Sequence, residues 1–245
     1  MIIRRPRSRP YALRGGVVAG LAALAIGGAG VAQAAPAPTH RPWAAQPLVV
    51  LLGDHVARRS PNAGAGGIEA VAARRPLTRV RTVLPVLGSR GPHDAWLRVR
   101  LPGRPNGHTG WISADRTRST STPWEIVVSL SRRDVVVFRA GRVVREFAAI
   151  VGKPSTPTPR ASFFVEEALR LAPGAAGGPF ALATSARSDV FQEFEGGPGQ
   201  IALHGTRNLS GSLGTAASHG CVRLAPHAIA WLASRIGAGV PLSIE

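Results

Sequence analysis

From Pro47 onward the apolar residues of this chain come in short runs, rich in Val, Ile, Leu and Phe, with turn-forming Gly, Pro, Asn and Ser between them. Residues 48–52, 80–83, 96–101 and 110–113 are such runs in the first half, and 125–130, 134–138, 142–151, 162–166, 180–184 and 200–204 in the second. Runs of this length and β-branched content are strands, and the glycines between them, such as Gly141, make hairpins and meanders. The period changes only after Leu224. Pro226 suits a first helical turn, Ile229, Leu232, Ala233 and Ile236 recur at helical spacing, Gly237 ends the pattern, and 240–244 closes as a strand. The chain is therefore expected to be mostly β, with one short C-terminal helix.

Its first 34 residues belong to a different class of segment. Arg4, Arg5, Arg7, Arg9 and Arg14 precede an apolar, Gly/Ala-rich run from Gly15 to Val31, and Ala32-Gln33-Ala34 follows. A basic region, an apolar stretch and an A-x-A site make a secretory signal peptide, residues 1–34, which stands outside the fold. Uncleaved, the same run would serve as a membrane anchor. Arg4-Arg5 is followed by Pro6-Arg7-Ser8 instead of the hydrophobic pair that twin-arginine signals prefer, so the general export route is expected. No cysteine stands directly after the apolar run, which excludes a lipoprotein.

Residues 35–46 read as a Pro/Ala-rich linker, 47–118 as a small β domain and 119–245 as a second domain, with the polar run 117–122 between the last two. In the small domain Trp96, Arg98 and Arg100 alternate with Leu97, Val99 and Leu101, Pro102 to Gly107 turn the chain, and 109–112 return it. That is a β-hairpin with a long loop. About seventy residues are enough for a small barrel. The stretch 63–75, AGAGGIEAVAARR, fits one poorly and is expected as a long loop or a short helix.

Charge narrows the partners. There are 30 Lys and Arg against 13 Asp and Glu, a net of +17; without the five leader arginines, 25 against 13 leave a net of +12. Such a chain associates with polyanions. It has no zinc-ligand set, no recognition-helix pattern, and only seven Phe and one Tyr for stacking. With the leader, this argues against nucleic acid as the partner. The use of Arg over Lys, with heavy Ala, Gly and Pro, reads as the coding bias of a high-GC genome.

Chemistry concentrates in 201–224, IALHGTRNLSGSLGTAASHGCVRL, which holds the single cysteine, Cys221. One cysteine makes no internal disulfide, so it is an inert hydrophobe, an intermolecular bridge or a nucleophile. A free thiol with its ordinary pKa of about 8.5 is mostly protonated at neutral pH, and a nucleophile needs a base brought to it. His204 and His219 are the candidates. Gly205 after one and Gly220 after the other let the backbone turn tightly and approach a substrate closely. The N–H groups of Gly220 and Cys221 are natural donors to a developing oxyanion. Taken singly, the cysteine reads as core filler and each histidine as a surface or hydrogen-bonded core residue; their joint spacing points to the nucleophile. Two histidines and one cysteine without a carboxylate cluster make a poor zinc set, so neither a metal nor another cofactor is expected.

HGT, a loop-like gap and SHGCVRL resemble the signature of the L,D-transpeptidase catalytic domain, a family that cross-links bacterial peptidoglycan. The likeness extends upstream through IVVSLSRRDVVVFRAGRVVREFAAIVGKPSTPTPRASFFVEE, where Gly152-Lys153-Pro154 to Thr156-Pro157-Thr158-Pro159 match the family's TPTP-type loop. Ala161 stands where the family usually has Gly. The resemblance covers about Trp124 to Glu245 and implies a mostly β, sandwich-like fold with the helix packed on it. It makes Cys221 the acylated nucleophile, His204 the general base, His219 and Gly220 the SHG turn, Ser218 the Ser/Thr before it, and Arg223 a substrate-binding polar position that is Asn in some members.

In the implied reaction Cys221 attacks the carbonyl between the third residue of a stem peptide and its terminal D-Ala. His204 moves the proton, its ring oriented by a carbonyl such as that of Gly205, and a neighbouring stem's side-chain amine, or a protein amine, takes the acyl group. Water as acceptor would make an L,D-carboxypeptidase, and loss of the chemistry a wall-binding protein, against which the intact Cys–His pair argues. A papain-like protease has its Cys before its His, the reverse of the order here. The implied partners are stem peptides, anionic wall polymers and carbapenem-type β-lactams as covalent inhibitors. The implied location is the cell wall or a periplasm-like space. AWLRVRLPGRPNGHTGWI is similar to the final hairpin of bacterial SH3-like domains, which often accompany wall enzymes; the alternative is a β-rich spacer without a ligand. Either way residues 47–118 are expected to fold separately and to aid positioning on the wall, not catalysis.

Overall fold

The computed structural model describes residues 44–193 and 196–245. The leader, and the linker up to residue 43, lie outside them. Seven strands come first: β1 (Gln46–Leu51), β2 (His55–Arg58), β3 (Gly67–Val71), β4 (Val83–Arg90), β5 (Trp96–Arg100), β6 (Thr109–Ser113) and β7 (Thr117–Thr122). They form one sheet in the order β3-β2-β6-β5-β4-β1-β7. The expected hairpin is β5 against β6, in register from Trp96↔Ser113 to Arg100↔Thr109.

Three expectations for this half are corrected. The run 80–83 only leads into a strand, since β4 begins at Val83 and continues to Arg90. Inside the stretch read as a loop or short helix, Gly67–Val71 is a strand, antiparallel to β2, with Val71 buried in the core. Its glycine-rich approach hides the alternation. The polar run read as a separator is β7, which pairs with β1 from Gln46↔Thr122 to Leu51↔Thr117. An edge strand whose Thr and Ser side chains face solvent needs no apolar alternation, and Thr favours extended backbone. The first sheet therefore continues to Thr122.

Then follow β8 (Trp124–Ser129), β9 (Asp134–Arg139), β10 (Arg142–Gly152), β11 (Ala161–Arg170), β12 (Phe180–Arg187), β13 (Gln200–Gly205), β14 (Ala216–Ser218), β15 (Val222–Leu224), α1 (Pro226–Ala233) and β16 (Pro241–Ile244). Their order is β14-β10-β15-β13-β12-β11-β16-β8-β9, with β9 also paired to β10. Two long strands serve both layers of this sandwich. β10 pairs β9 through 142–148 and β15 through 149–150; β11 pairs β16 through 161–164 and β12 through 165–170. The core between the layers includes Ile126, Val137, Phe163, Leu203 and Leu224.

Helix α1 starts at Pro226 and buries Ala228, Ile229 and Leu232. It ends at Ala233, before the expected Gly237. Beyond it Arg235 N–H and Ile236 N–H both donate to Leu232 O, at 2.9 and 2.8 Å, a tightened turn that still buries Ile236. Among the described residues no helix is long and apolar enough to cross a membrane.

Strand alternation at Phe163-Phe164 sends two identical side chains to opposite faces. Phe163 enters the sandwich core, whereas Phe164, 1% exposed, completes the core of the first sheet with Val49, Leu51, Leu84, Val99 and Ile112. Polar ties run alongside. The Glu167 carboxylate accepts from Thr78 N–H at 2.9 Å and from its hydroxyl at 2.7 Å. Asn106 pairs both ways with the backbone of Arg187, at 2.8 Å each. Residues 47–118 thus take part of their core from β11, where a separately folding unit would close its own.

Candidate active site

Strands β13 and β15 run parallel, with Leu203 opposite Val222, His204 opposite Arg223 and Gly205 opposite Leu224. Leu203, Val222 and Leu224 are fully buried in the sandwich core. Alternate residues of a strand face opposite ways, so His204 and Arg223 share the other face, and Cys221, in the bend just before β15, lines a cleft with them. That face is a wall of the cleft, of about 800 Å³, lined also by His219, Ser210 and Gln200. Parallel pairing needs a crossover, and 206–221 is that crossover; it carries Cys221 back to the strand that bears His204.

The His204 ring is held through Nδ1, 2.8 Å from Gly205 O. A carbonyl can only accept, so Nδ1 carries the proton and Nε2 is the basic nitrogen. Gly205 N–H in turn donates to Gly177 O at 2.7 Å. The residue expected as a turn glycine is the end of β13, and its lack of a side chain serves close approach: a Cβ there would collide with Gly178 O.

Ser218-His219-Gly220-Cys221 is a turn braced from within. The buried Ser218 hydroxyl donates to Cys221 O at 2.6 Å and accepts from Gly220 N–H at 3.1 Å. Gly220 sits at φ 120°, and a Cβ would press to 3.0 Å from Ile201 Cδ1. Its N–H, expected among the oxyanion donors, is committed to Ser218 Oγ, so the part Gly220 plays here is in the turn.

The 152–159 loop, given no role by sequence reasoning, clamps the same turn. Thr158 donates its hydroxyl to Gly220 O at 2.7 Å and accepts from Gly152 N–H at 2.9 Å. Ser218 O receives the Thr156 hydroxyl at 3.2 Å and Lys153 N–H at 3.0 Å. Lys153 reaches further, its Nζ lying 3.4 Å from His219 Nε2. An ammonium can only donate, so that ring nitrogen accepts. The ring of Phe191 lies near the other side of the site, 6.3 Å from that of His219 between centroids. Arg223 is 9% exposed, donates to Ser210 O at 2.9 Å, and its Nε has no hydrogen-bond partner among the described residues.

Another part of the cleft is charged and draws on the first sheet's half of the chain: Arg75 and Leu77 line it with Glu166, Glu167 and Arg187. Glu166, fully buried, is paired with both Arg75 and Arg187, the latter at 3.2 Å. Burial, then the like charge of Arg104, pulls the Arg187 guanidinium down to about 10, with Glu69 opposing, so it remains charged at neutral pH. Burial lowers Arg75 too, against the support of Glu167. Among the described residues no group of three or more His, Cys, Asp or Glu comes together as a metal ion needs.

The model of the L,D-transpeptidase catalytic domain, YkuD, matches residues 123–244. The YkuD protein of Bacillus licheniformis is 30% identical over 151 residues, covering 59% of this chain and 83% of that one. The chain belongs to the L,D-transpeptidase family. The YkuD protein of Bacillus subtilis is 27% identical over 147 residues, 60% of this chain and 74% of that one. Among solved structures, the L,D-transpeptidase LdtMt1 in complex with imipenem is similar at 19% identity and a TM-score of 0.45, over 67% of this chain and 91% of that one. The family match begins at Pro123, between β7 and β8, so the L,D-transpeptidase domain is the sandwich with α1, and His204 and Cys221 both lie inside it.

Proposed function

We propose that this L,D-transpeptidase family member links peptidoglycan stem peptides, or anchors a substrate to them, through a thioester on Cys221 with His204 as its base. The observation that carries this reading is that the parallel pairing of β13 with β15 returns the chain so that His204 and Cys221 line one cleft. His204 Nε2 takes the thiol proton as Sγ attacks the carbonyl carbon between the stem's third residue and its terminal D-Ala. The C–N bond then breaks, and D-Ala leaves as an amine carrying the proton that His204 returns. A neighbouring stem's side-chain amine attacks the thioester, the C–S bond breaks, and the amine's proton passes through His204 to sulfur. Arg223, in the same wall, supplies a fixed positive charge for a stem carboxylate.

A carbapenem is a strained cyclic amide that resembles an acyl donor, and an activated thiolate opens it to a thioester. Intact-mass measurement of the protein with imipenem is expected to show a gain of one drug molecule in the wild type. The gain should be slow or missing in His204→Ala and missing in Cys221→Ala. No gain in a folded wild type whose thiol still reacts with a small alkylating reagent would overturn the proposal. The leader is proposed to carry the chain to the wall. N-terminal sequencing of the secreted protein should then begin at or near Ala35, and material beginning at Met1 would mean an anchored form instead.

A further inference from the structure

A second cavity, of about 490 Å³, lies on the first sheet and shares no lining residue with the catalytic cleft. Arg74, Arg79, Arg81 and Arg116 surround it, with Gly53 and Asp54 between them. Among the described residues none of the four arginines has a carboxylate within ion-pair distance. The one acid at the site, Asp54, accepts Ala73 N–H at 2.7 Å. Like charges so gathered repel, yet here the backbone holds them. Arg74 and Arg81 face each other in a single β-bridge. Arg81 donates to Leu52 O at 3.0 Å and Arg74 to Arg79 O at 2.7 Å. The Arg116 guanidinium lies so close over Gly53 that a Cβ there would overlap it.

The catalytic cleft differs in this respect, because Glu166 and Glu167 offset Arg75 and Arg187 there. At the second cavity four guanidiniums face the single carboxylate of Asp54, which leaves the site net positive. Each guanidinium has five N–H donors in a planar fork that matches two phosphate oxygens, and the carbonyl contacts above use only a part of them.

We propose that this arginine cavity is a separate binding site for the phosphodiester groups of an anionic cell-wall polymer, docking the enzyme on the wall. The phosphate chemistry follows from the arginines; the polymer as its source rests on the reading of the chain as an exported wall enzyme. The test titrates the full-length protein with poly(glycerol phosphate), with polyglutamate of equal charge and with inorganic phosphate, at one ionic strength. Wild type should prefer poly(glycerol phosphate) over polyglutamate by about tenfold or more, and Arg74→Gln/Arg81→Gln should weaken that binding by roughly tenfold or more. Gly53→Ala, which displaces the Arg116 guanidinium without removing charge, should weaken it as well. Arg142→Gln/Arg145→Gln removes the same charge from the sandwich and should change binding by less than about twofold.

An equal loss in that control pair would reduce the effect to net charge and overturn the site. So would equal affinity for polyglutamate, or undiminished binding in both cavity variants. Displacement of the polymer by inorganic phosphate at equal phosphate concentration would make free phosphate the ligand and overturn the polymer. Turnover of soluble stem peptides, followed on the same proteins, should stay within about twofold across all the variants, since none touches the cleft. A failure of the arginine cavity is thereby read apart from a failure of the transpeptidase reading.

Discussion

Replacing His204 with Ala is expected to slow turnover of stem peptides by about 10²–10⁴-fold, the usual loss on removing a general base, in a protein that keeps its fold. The ring is half-buried near the end of β13 with its Nδ1 against the carbonyl of Gly205, and the strand's pairing to β15 runs through backbone groups, so the ladder does not depend on the side chain. The pH profile should change with the rate. Without Nε2 to take its proton, the thiol must ionise unaided, and the residual rate should climb with pH toward the ordinary thiol range of about 8.5. His219→Ala should cost less, because that ring sits beside Lys153 and Phe191 with its Nε2 already accepting. If His219→Ala proved the more damaging of two folded variants, the two roles would have to be exchanged.

The second large effect concerns stability. Phe164→Ala is expected to cost about 3–5 kcal/mol, the range for truncating a buried Phe, out of the roughly 5–15 kcal/mol that holds a protein folded. The ring belongs to β11 of the sandwich but fills the core of the first sheet, so the loss falls on the junction of the two. Urea denaturation should show a lower midpoint for the whole protein. A chain beginning near Thr120 leaves Phe164 exposed and deletes Arg75 and Leu77 from the cleft, and should lose both stability and turnover. Unchanged denaturation of Phe164→Ala, or full turnover by the truncated chain, would show that the halves are independent after all.

These two predictions differ in how far sequence could reach. The candidate face stands out in sequence because Cys221, His204 and His219 lie within one stretch whose HGT and SHGCVRL motifs resemble the L,D-transpeptidase signature; the fold adds a ring held by the next carbonyl and a serine hydroxyl closing a turn over a positive φ. Thr156 and Thr158 were visible as a run but silent as to role, since their contacts to Ser218 and Gly220 span 62 residues. Gly220 was read as an oxyanion donor because a sequence shows an N–H without showing that Ser218 Oγ already receives it.

The strands that were found carry apolar alternation or β-branched runs. Five others escape that signal: β7 is an exposed edge of Thr, Ser and Arg, β3 is reached through glycines, and β2, β14 and β15 are only three or four residues long. Phe163 and Phe164 look alike in sequence, and only a strand with a core on each face tells them apart. The arginine cavity was hidden in the same way, as a general excess of charge until the fold brought Arg74, Arg79, Arg81 and Arg116 together.

One measurement bears most directly on the acyl-enzyme. The protein is incubated with purified tetrapeptide stems, quenched in acid, digested and followed by mass. Cys221 should carry the stem's tripeptide as a thioester, with D-Ala released in matching amount and cross-linked dimer or hydrolysed tripeptide accumulating later. Product formed at the same rate by Cys221→Ala, or turnover in the wild type with no acyl group ever on Cys221, would contradict the thioester route.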